Sequence, residues 1–128
     1  MRVLIVESEY DLANIWRRHL ERLGMIVARA CCQDDAIAYL SSNDTDVLIL
    51  NLVLEEGSAL SVADYASYRL PDAPIIFVTN TSFFSDGSIF NYAPNACAFV
   101  QSATPPEDIA AMVEHYGPAE GPTAPEAV

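Results

Sequence analysis

The chain of 128 residues contains no lysine; its six basic side chains are all arginine, namely Arg2, Arg17, Arg18, Arg22, Arg29 and Arg69. That excludes Schiff-base chemistry and the lysine-dependent phosphate loop of nucleotide-hydrolysing enzymes. Basic charge is scarce in general, since 18 acidic residues against 6 basic ones give a formal net charge of −12. Such a chain repels phosphate backbones and anionic lipid headgroups, so neither nucleic acid nor membrane is expected as a partner. Cysteine is limited to Cys31, Cys32 and Cys97, with no Cys-x-x-Cys pair, and His19 and His115 lie far apart. The spacing of a structural zinc site is lacking, and the reading is three reduced thiols and no metal. No apolar run approaches the roughly 20 residues of a membrane span. The first run, residues 3–6, ends at Glu7 and is too short for a signal peptide. The expected setting is the cytoplasm.

What the chain does have is apolar residues, 52% of the total, enough for the core of one domain. Five short apolar runs recur, each followed by helical periodicity. Residues 3–6 precede a stripe of Leu12, Ile15, Trp16, Leu20 and Leu23, closed by Gly24. Residues 25–30 form a second strand interrupted by Arg29, and Ala36, Ile37 and Leu40 mark a short helix entered through Asp34 and Asp35. Residues 47–54, broken only by Asn51, are the strongest signal for a strand covered on both faces. Glu55-Glu56-Gly57-Ser58 reads as a solvated turn, with Ser58 capping a helix that runs to about Tyr68.

Residues 75–78 are the fourth strand, 83–92 a weak helix containing Gly87 and Ser88, and 96–100 the fifth strand. Pro105 and Pro106 open a last helix carrying Ile109, Met112, Val113 and Tyr116. The division is a domain over residues 1–116 and a flexible tail over 117–128, where three prolines and two glycines fall within twelve residues. The pattern is (βα)5, a doubly wound parallel sheet whose polar groups gather at the carboxyl ends of the strands. No glycine-rich loop follows the first strand, which leads into Glu7-Ser8-Glu9, so a small-ligand module at the strand ends lacks its usual support.

Four motifs in order carry a family resemblance. Val3-Leu4-Ile5-Val6-Glu7-Ser8-Glu9 resembles the V-L-I-V-D-D-E opening of response-regulator receiver domains. The stretch from Asp46 to Leu60 resembles D-L-V-L-L-D-L-x-L-P-D-G-S-G-L, and Pro74-Ile75-Ile76-Phe77-Val78-Thr79 resembles P-V-I-x-L-T. Asn95 to Ala103 resembles G-A-x-x-[YF]-V-x-K-P, and Pro106-Glu107-Asp108-Ile109 fixes that register. The resemblance spans roughly residues 2–116 and implies a flavodoxin-like sheet of strand order 2-1-3-4-5.

It also implies a site in which the chemistry has changed. Active receivers accept a phosphoryl group on an aspartate ending strand three, beside an acid pair that holds Mg²⁺, a lysine and a hydroxyl. Here the acceptor position is Asn51, the acid pair is Glu7 and Ser8, and the lysine position is Ser102. Thr79 and Phe99 keep the hydroxyl and the switch aromatic; without a trigger they read as a capped strand end and a core aromatic. An amide cannot replace a carboxylate nucleophile, and a pocket with one carboxylate should bind Mg²⁺ weakly or not at all. Ser8 and Asn51 are expected to hydrogen-bond one another or hold a water. The resulting expectation is a stand-alone, non-enzymatic pseudo-receiver of a two-component phosphorelay pathway, working by protein–protein contact. Its partner would be a histidine kinase, a phosphotransfer protein, another regulator or a second copy, docked on a face that includes Phe84 and Tyr92. The competing reading is a displaced phosphoacceptor, Glu7 or Ser8.

Overall fold

The computed structural model describes residues 1–79 and 95–117. The elements in chain order are β1 (Arg2–Val6), α1 (Tyr10–Arg22), β2 (Ile26–Ala30), α2 (Gln33–Ser42), β3 (Val47–Asn51), α3 (Ala59–Arg69), β4 (Ile75–Thr79), β5 (Ala96–Gln101) and α4 (Pro106–Tyr116). All strand pairs are parallel, in the order β2-β1-β3-β4-β5. The expected helix over 83–92, its Phe84 and Tyr92, and the tail beyond Gly117 lie outside the described residues.

The period-2 alternation of a strand sorts the sheet's side chains onto two cores. Val3, Ile5, Val47, Ile49, Ile76 and Val78 face one side, where Trp16 and Leu20 of α1 meet Ile109 and Val113 of α4. Leu4, Val6, Leu48, Leu50, Ile75 and Phe77 face the other, against Ala36 and Leu40 of α2 and Val62 and Ala66 of α3. The central strands β3 and β4 are buried along their whole length, which is why they read as near-continuous apolar runs. In β5 the register slips by one residue between Ile75 and Ile76 of its neighbour. The extra residue is Cys97, and the resulting bulge puts it on the same side as Ala98.

The turns follow from local chemistry. Gly24 closes α1 at φ +88°, where any other side chain is strained. The Ser58 hydroxyl caps α3 by accepting the Ser61 N–H at 3.3 Å. Gly57, also at φ +88°, lies so close to Gln33 that a Cβ there would come within 2.3 Å of the Gln33 Cβ. That approach ties the start of α2 to the loop before α3, and the Gln33 amide oxygen accepts the Ser58 N–H at 2.7 Å.

Two expectations are corrected. The strand expected over 47–54 stops at Asn51, because the chain leaves the sheet there and Val53 is exposed. On α1, Trp16 and Leu20 are buried, but Ile15 and Leu23 are about half exposed. The face turned to the sheet is narrower than the apolar stripe, and Leu23 has already left the helix.

Trp16, 1% exposed at the centre of the first core, should be the most costly residue of α1 to truncate. Trp16→Ala is expected to lower unfolding free energy by about 3–5 kcal/mol, against about 0.5 kcal/mol or less for Ile15→Ala. Urea unfolding of the two variants measures both.

Candidate functional site

β1 and β3 are adjacent and parallel, with Val6 opposite Leu50, so the next residues, Glu7 and Asn51, meet side by side at the carboxyl ends. Both are buried, at 3% and 8% exposure. The Asn51 amide Nδ2 donates to Glu7 Oε1 at 2.6 Å, and its Oδ1 accepts the Val53 N–H at 2.8 Å. Donor on one side and acceptor on the other fix the orientation of the amide. Glu7 Oε2 accepts the Glu9 N–H at 3.0 Å, so both carboxylate oxygens have donors. That is the compensation a buried carboxylate requires.

Ser8 faces the other way. Its hydroxyl donates to the Cys31 carbonyl at 2.8 Å and accepts the Glu55 N–H at 2.9 Å. The expected Ser8–Asn51 contact is therefore replaced by two separate arrangements, because Glu7 points toward β3 while Ser8 bridges the end of β2 and the loop after β3. Arg29, the residue that interrupts the apolar pattern of β2, completes the link. Its guanidinium donates to the Glu7 carbonyl at 3.2 and 3.0 Å and to the Ser8 carbonyl at 3.0 Å, and lies 5.3 Å from the centre of the Tyr10 ring. Sequence reasoning missed this role; the signal was a lone charge at the inner end of an edge strand.

Glu7, Ser8, Asn51 and Ser102 line one cleft of about 190 Å³, together with Glu9, Leu12, Val53 and Glu55. The cleft thus carries three carboxylates rather than one, with Glu7 buried and Glu9 and Glu55 exposed. Glu56 is exposed as well, in keeping with a solvated turn. Thr79 is fully buried at the end of β4, where its carbonyl accepts the Ser102 N–H at 2.7 Å. Phe99 sits opposite Phe77 in β5 and packs, partly buried, on the α2–α3 side of the sheet.

The cysteines show what spacing alone hid. Cys31 Sγ lies 3.6 Å from Cys32 Sγ and donates to Asp35 Oδ2 at 3.0 Å. The bond to Asp35, then that to Cys32, then burial push the Cys31 thiol up to about 12. Cys97 is pushed up to about 11 by burial. The intervals along the sequence lack zinc-type spacing, but the β2–α2 turn gathers two thiols and one carboxylate in one place.

Asn51→Asp tests the geometry at the floor of the cleft. An aspartate has no donor for Glu7, and two carboxylates at this distance retain a proton between them. A carboxyl group whose folded-state pKa is raised costs stability as pH climbs above its unfolded value. The variant should be less stable than the parent by about 1–3 kcal/mol at pH 8, with the gap narrowing toward pH 5. Urea unfolding across that range reads it directly.

The family model "Response regulator receiver domain" matches residues 3–114. The response regulator SaeR of Staphylococcus epidermidis is 31% identical over 77 residues, 60% of this chain but 33% of that protein. The chain therefore aligns with about a third of that relative's length. Among solved structures, a CheY-like receiver domain protein from Methanospirillum hungatei superposes with a TM-score of 0.81 at 18% identity, covering 89% of this chain and 90% of that one. The response regulator TrrA of Thermotoga maritima, solved with Mg²⁺ and beryllofluoride, gives 0.79 at 22% identity, covering 90% and 97%. Fold, strand order and family match agree: the chain belongs to the response regulator receiver domain family of two-component signalling.

Proposed function

We propose that this receiver signals without being phosphorylated, as a binding module for another protein of a two-component pathway. The observation that carries the reading is the hydrogen bond between the Asn51 amide and the Glu7 carboxylate. It stands where an active receiver presents an aspartate to the phosphoryl donor. The amide is no nucleophile, and its partner carboxylate already has both oxygens engaged. Ser8, the other candidate for a displaced acceptor, has its hydroxyl held between Cys31 and Glu55. No lysine exists to meet the phosphoryl oxygens.

Mg²⁺ binding in the cleft is weak in this reading. Glu9 and Glu55 are exposed, and engaging Glu7 would break its bonds to Asn51 and the Glu9 N–H. Mg²⁺ prefers near-ideal octahedral geometry and sheds its waters reluctantly. The working state is a protein complex, with a kinase, a phosphotransfer protein, another regulator or a second copy as partner. The function is non-enzymatic and the setting cytoplasmic. Among the described residues no helix is long and apolar enough to cross a membrane.

The test is incubation with acetyl phosphate and Mg²⁺ followed by intact-mass spectrometry. The mass is expected to stay unchanged in the parent and nearly so in Asn51→Asp, which still lacks the second acid and the lysine. A stoichiometric phosphoryl adduct on the parent, hydroxylamine-labile if on Glu7 and hydroxylamine-stable if on Ser8, would overturn the proposal in favour of a displaced acceptor. Millimolar Mg²⁺ alone should leave the thermal midpoint almost unmoved, since occupancy equal to half saturation adds only about 0.4 kcal/mol. A rise of several degrees, absent with Ca²⁺, would show a built Mg²⁺ site.

A further inference from the structure

The turn from β2 into α2 places Cys31 Sγ, Cys32 Sγ and the Asp35 carboxylate within 4.8 Å of one another. Two thiolates bound to one tetrahedral zinc ion at about 2.3 Å each stand about 3.8 Å apart. The two sulfurs here are 3.6 Å apart before any ion is present. The Asp35 oxygen lies 3.0 Å from Cys31 Sγ, the distance of a thiol hydrogen bond. When the thiol proton leaves, an opening to about 3.6 Å gives the sulfur–oxygen edge of the same tetrahedron.

We propose that Cys31, Cys32 and Asp35 form a binding site for a borderline-soft divalent cation of the zinc type. Two thiolates and one carboxylate supply three ligands, and a water fills the fourth position. Soft sulfur donors select against Mg²⁺ and Ca²⁺, which take hard oxygen ligands, so the site is distinct in chemistry as well as place from the cleft at Glu7. Binding M²⁺ releases both thiol protons: the charges of two thiolates and one carboxylate meet the 2+ of the ion. Because both thiols must lose their protons to bind the ion, affinity should fall steeply as pH drops.

The site is joined to the rest of the fold through backbone. The Cys31 carbonyl accepts the Ser8 hydroxyl, and the Cys32 carbonyl accepts the Ala36 N–H in the first turn of α2. Neither bond uses a cysteine side chain, so serine at either position leaves them in place. Cys32 is the N-cap of α2 and makes no side-chain cap. Cys32→Ser introduces a residue favoured at that position, so loss of metal in this variant will not reflect loss of fold.

The experiment is a Zn²⁺ titration of the reduced, metal-free full chain by calorimetry in two buffers of different ionisation enthalpy, paired with Co²⁺ absorption spectra. The expected result is one ion per chain, two protons released, thiolate-to-cobalt charge transfer and the intense visible bands of a tetrahedral ion. Cys31→Ser and Cys32→Ser should each weaken binding at least about a hundredfold and remove the charge-transfer band, and Asp35→Asn should weaken it about tenfold. Cys97→Ser should change nothing. Circular dichroism and melting of each metal-free variant confirm the fold. Zinc uptake without the charge-transfer band, or with equal affinity in the serine variants, would mean that surface carboxylates of this acidic chain bind the ion, and would overturn the proposal. Unchanged affinity in Asp35→Asn would overturn the three-ligand site.

Discussion

A parallel sheet covered on both faces has nowhere to put polar side chains except the strand ends, and that constraint organises this molecule. β3 and β4 are buried from end to end, so a carboxylate or amide within them would lose its water without gaining a partner. Glu7 and Asn51 escape this by standing one residue past Val6 and at the last residue of β3. There the pairing of β1 with β3 makes them neighbours. The same constraint puts Thr79 and Ser102 at the ends of β4 and β5, and the Arg29 side chain reaches from the edge strand β2 to the Glu7 and Ser8 carbonyls. The polar end is thus a consequence of core burial, with the side chains there free to change as long as their charges and hydrogen bonds still balance.

That balance gives a physical reason why positions expected from the motif resemblance to depart from the receiver pattern would do so together. A cluster of carboxylates needs a cation, and a lysine at the strand end needs carboxylates; removing one side alone leaves a buried charge unpaired. This chain has an amide at 51, a hydroxyl at 8 and another at 102, with no lysine anywhere. The buried Glu7 carboxylate is met by two N–H donors. Arg29, the arginine that reaches this end of the sheet, binds backbone carbonyls rather than a carboxylate. Arg29 therefore fixes the path of β1's end without depending on what the side chains at 7 and 8 carry.

The elements that could be read from the sequence were those in which one physical signal acts alone. β1, β3 and β4 are apolar because both faces are covered, Gly24 ends a helix because φ is positive there, and Trp16 is core because it lies at the centre of its stripe. The strand order and the cleft-lining set of Glu7, Ser8, Asn51 and Ser102 were legible through the family resemblance, since motif order fixes which ends converge. What stayed hidden depends on direction and distance. An apolar run does not mark where the chain leaves the sheet, so 52–54 looked like strand although Val53 points to solvent. Helical spacing does not give the width of the buried face, so Ile15 looked like core. The Ser8–Asn51 pairing failed because adjacent residues at a strand end point apart, one toward β3 and the other toward β2.

The same divergence makes Ser8 the hinge between two halves of the polar end. Through its hydroxyl it holds the Cys31 carbonyl and the Glu55 N–H, and through its carbonyl it holds Arg29. Glu7, its neighbour, is held by Asn51 and by Arg29 as well. The Ser8 hydroxyl oxygen that bonds the Cys31 carbonyl is the same one that accepts the Glu55 N–H of the loop after β3. Small displacements pass between such groups because each hydrogen bond loses its strength steeply outside a narrow range of distance and angle. The loops after β1, β2 and β3 are thus joined through the hydrogen bonds of Ser8 and Arg29 at the carboxyl end of the sheet.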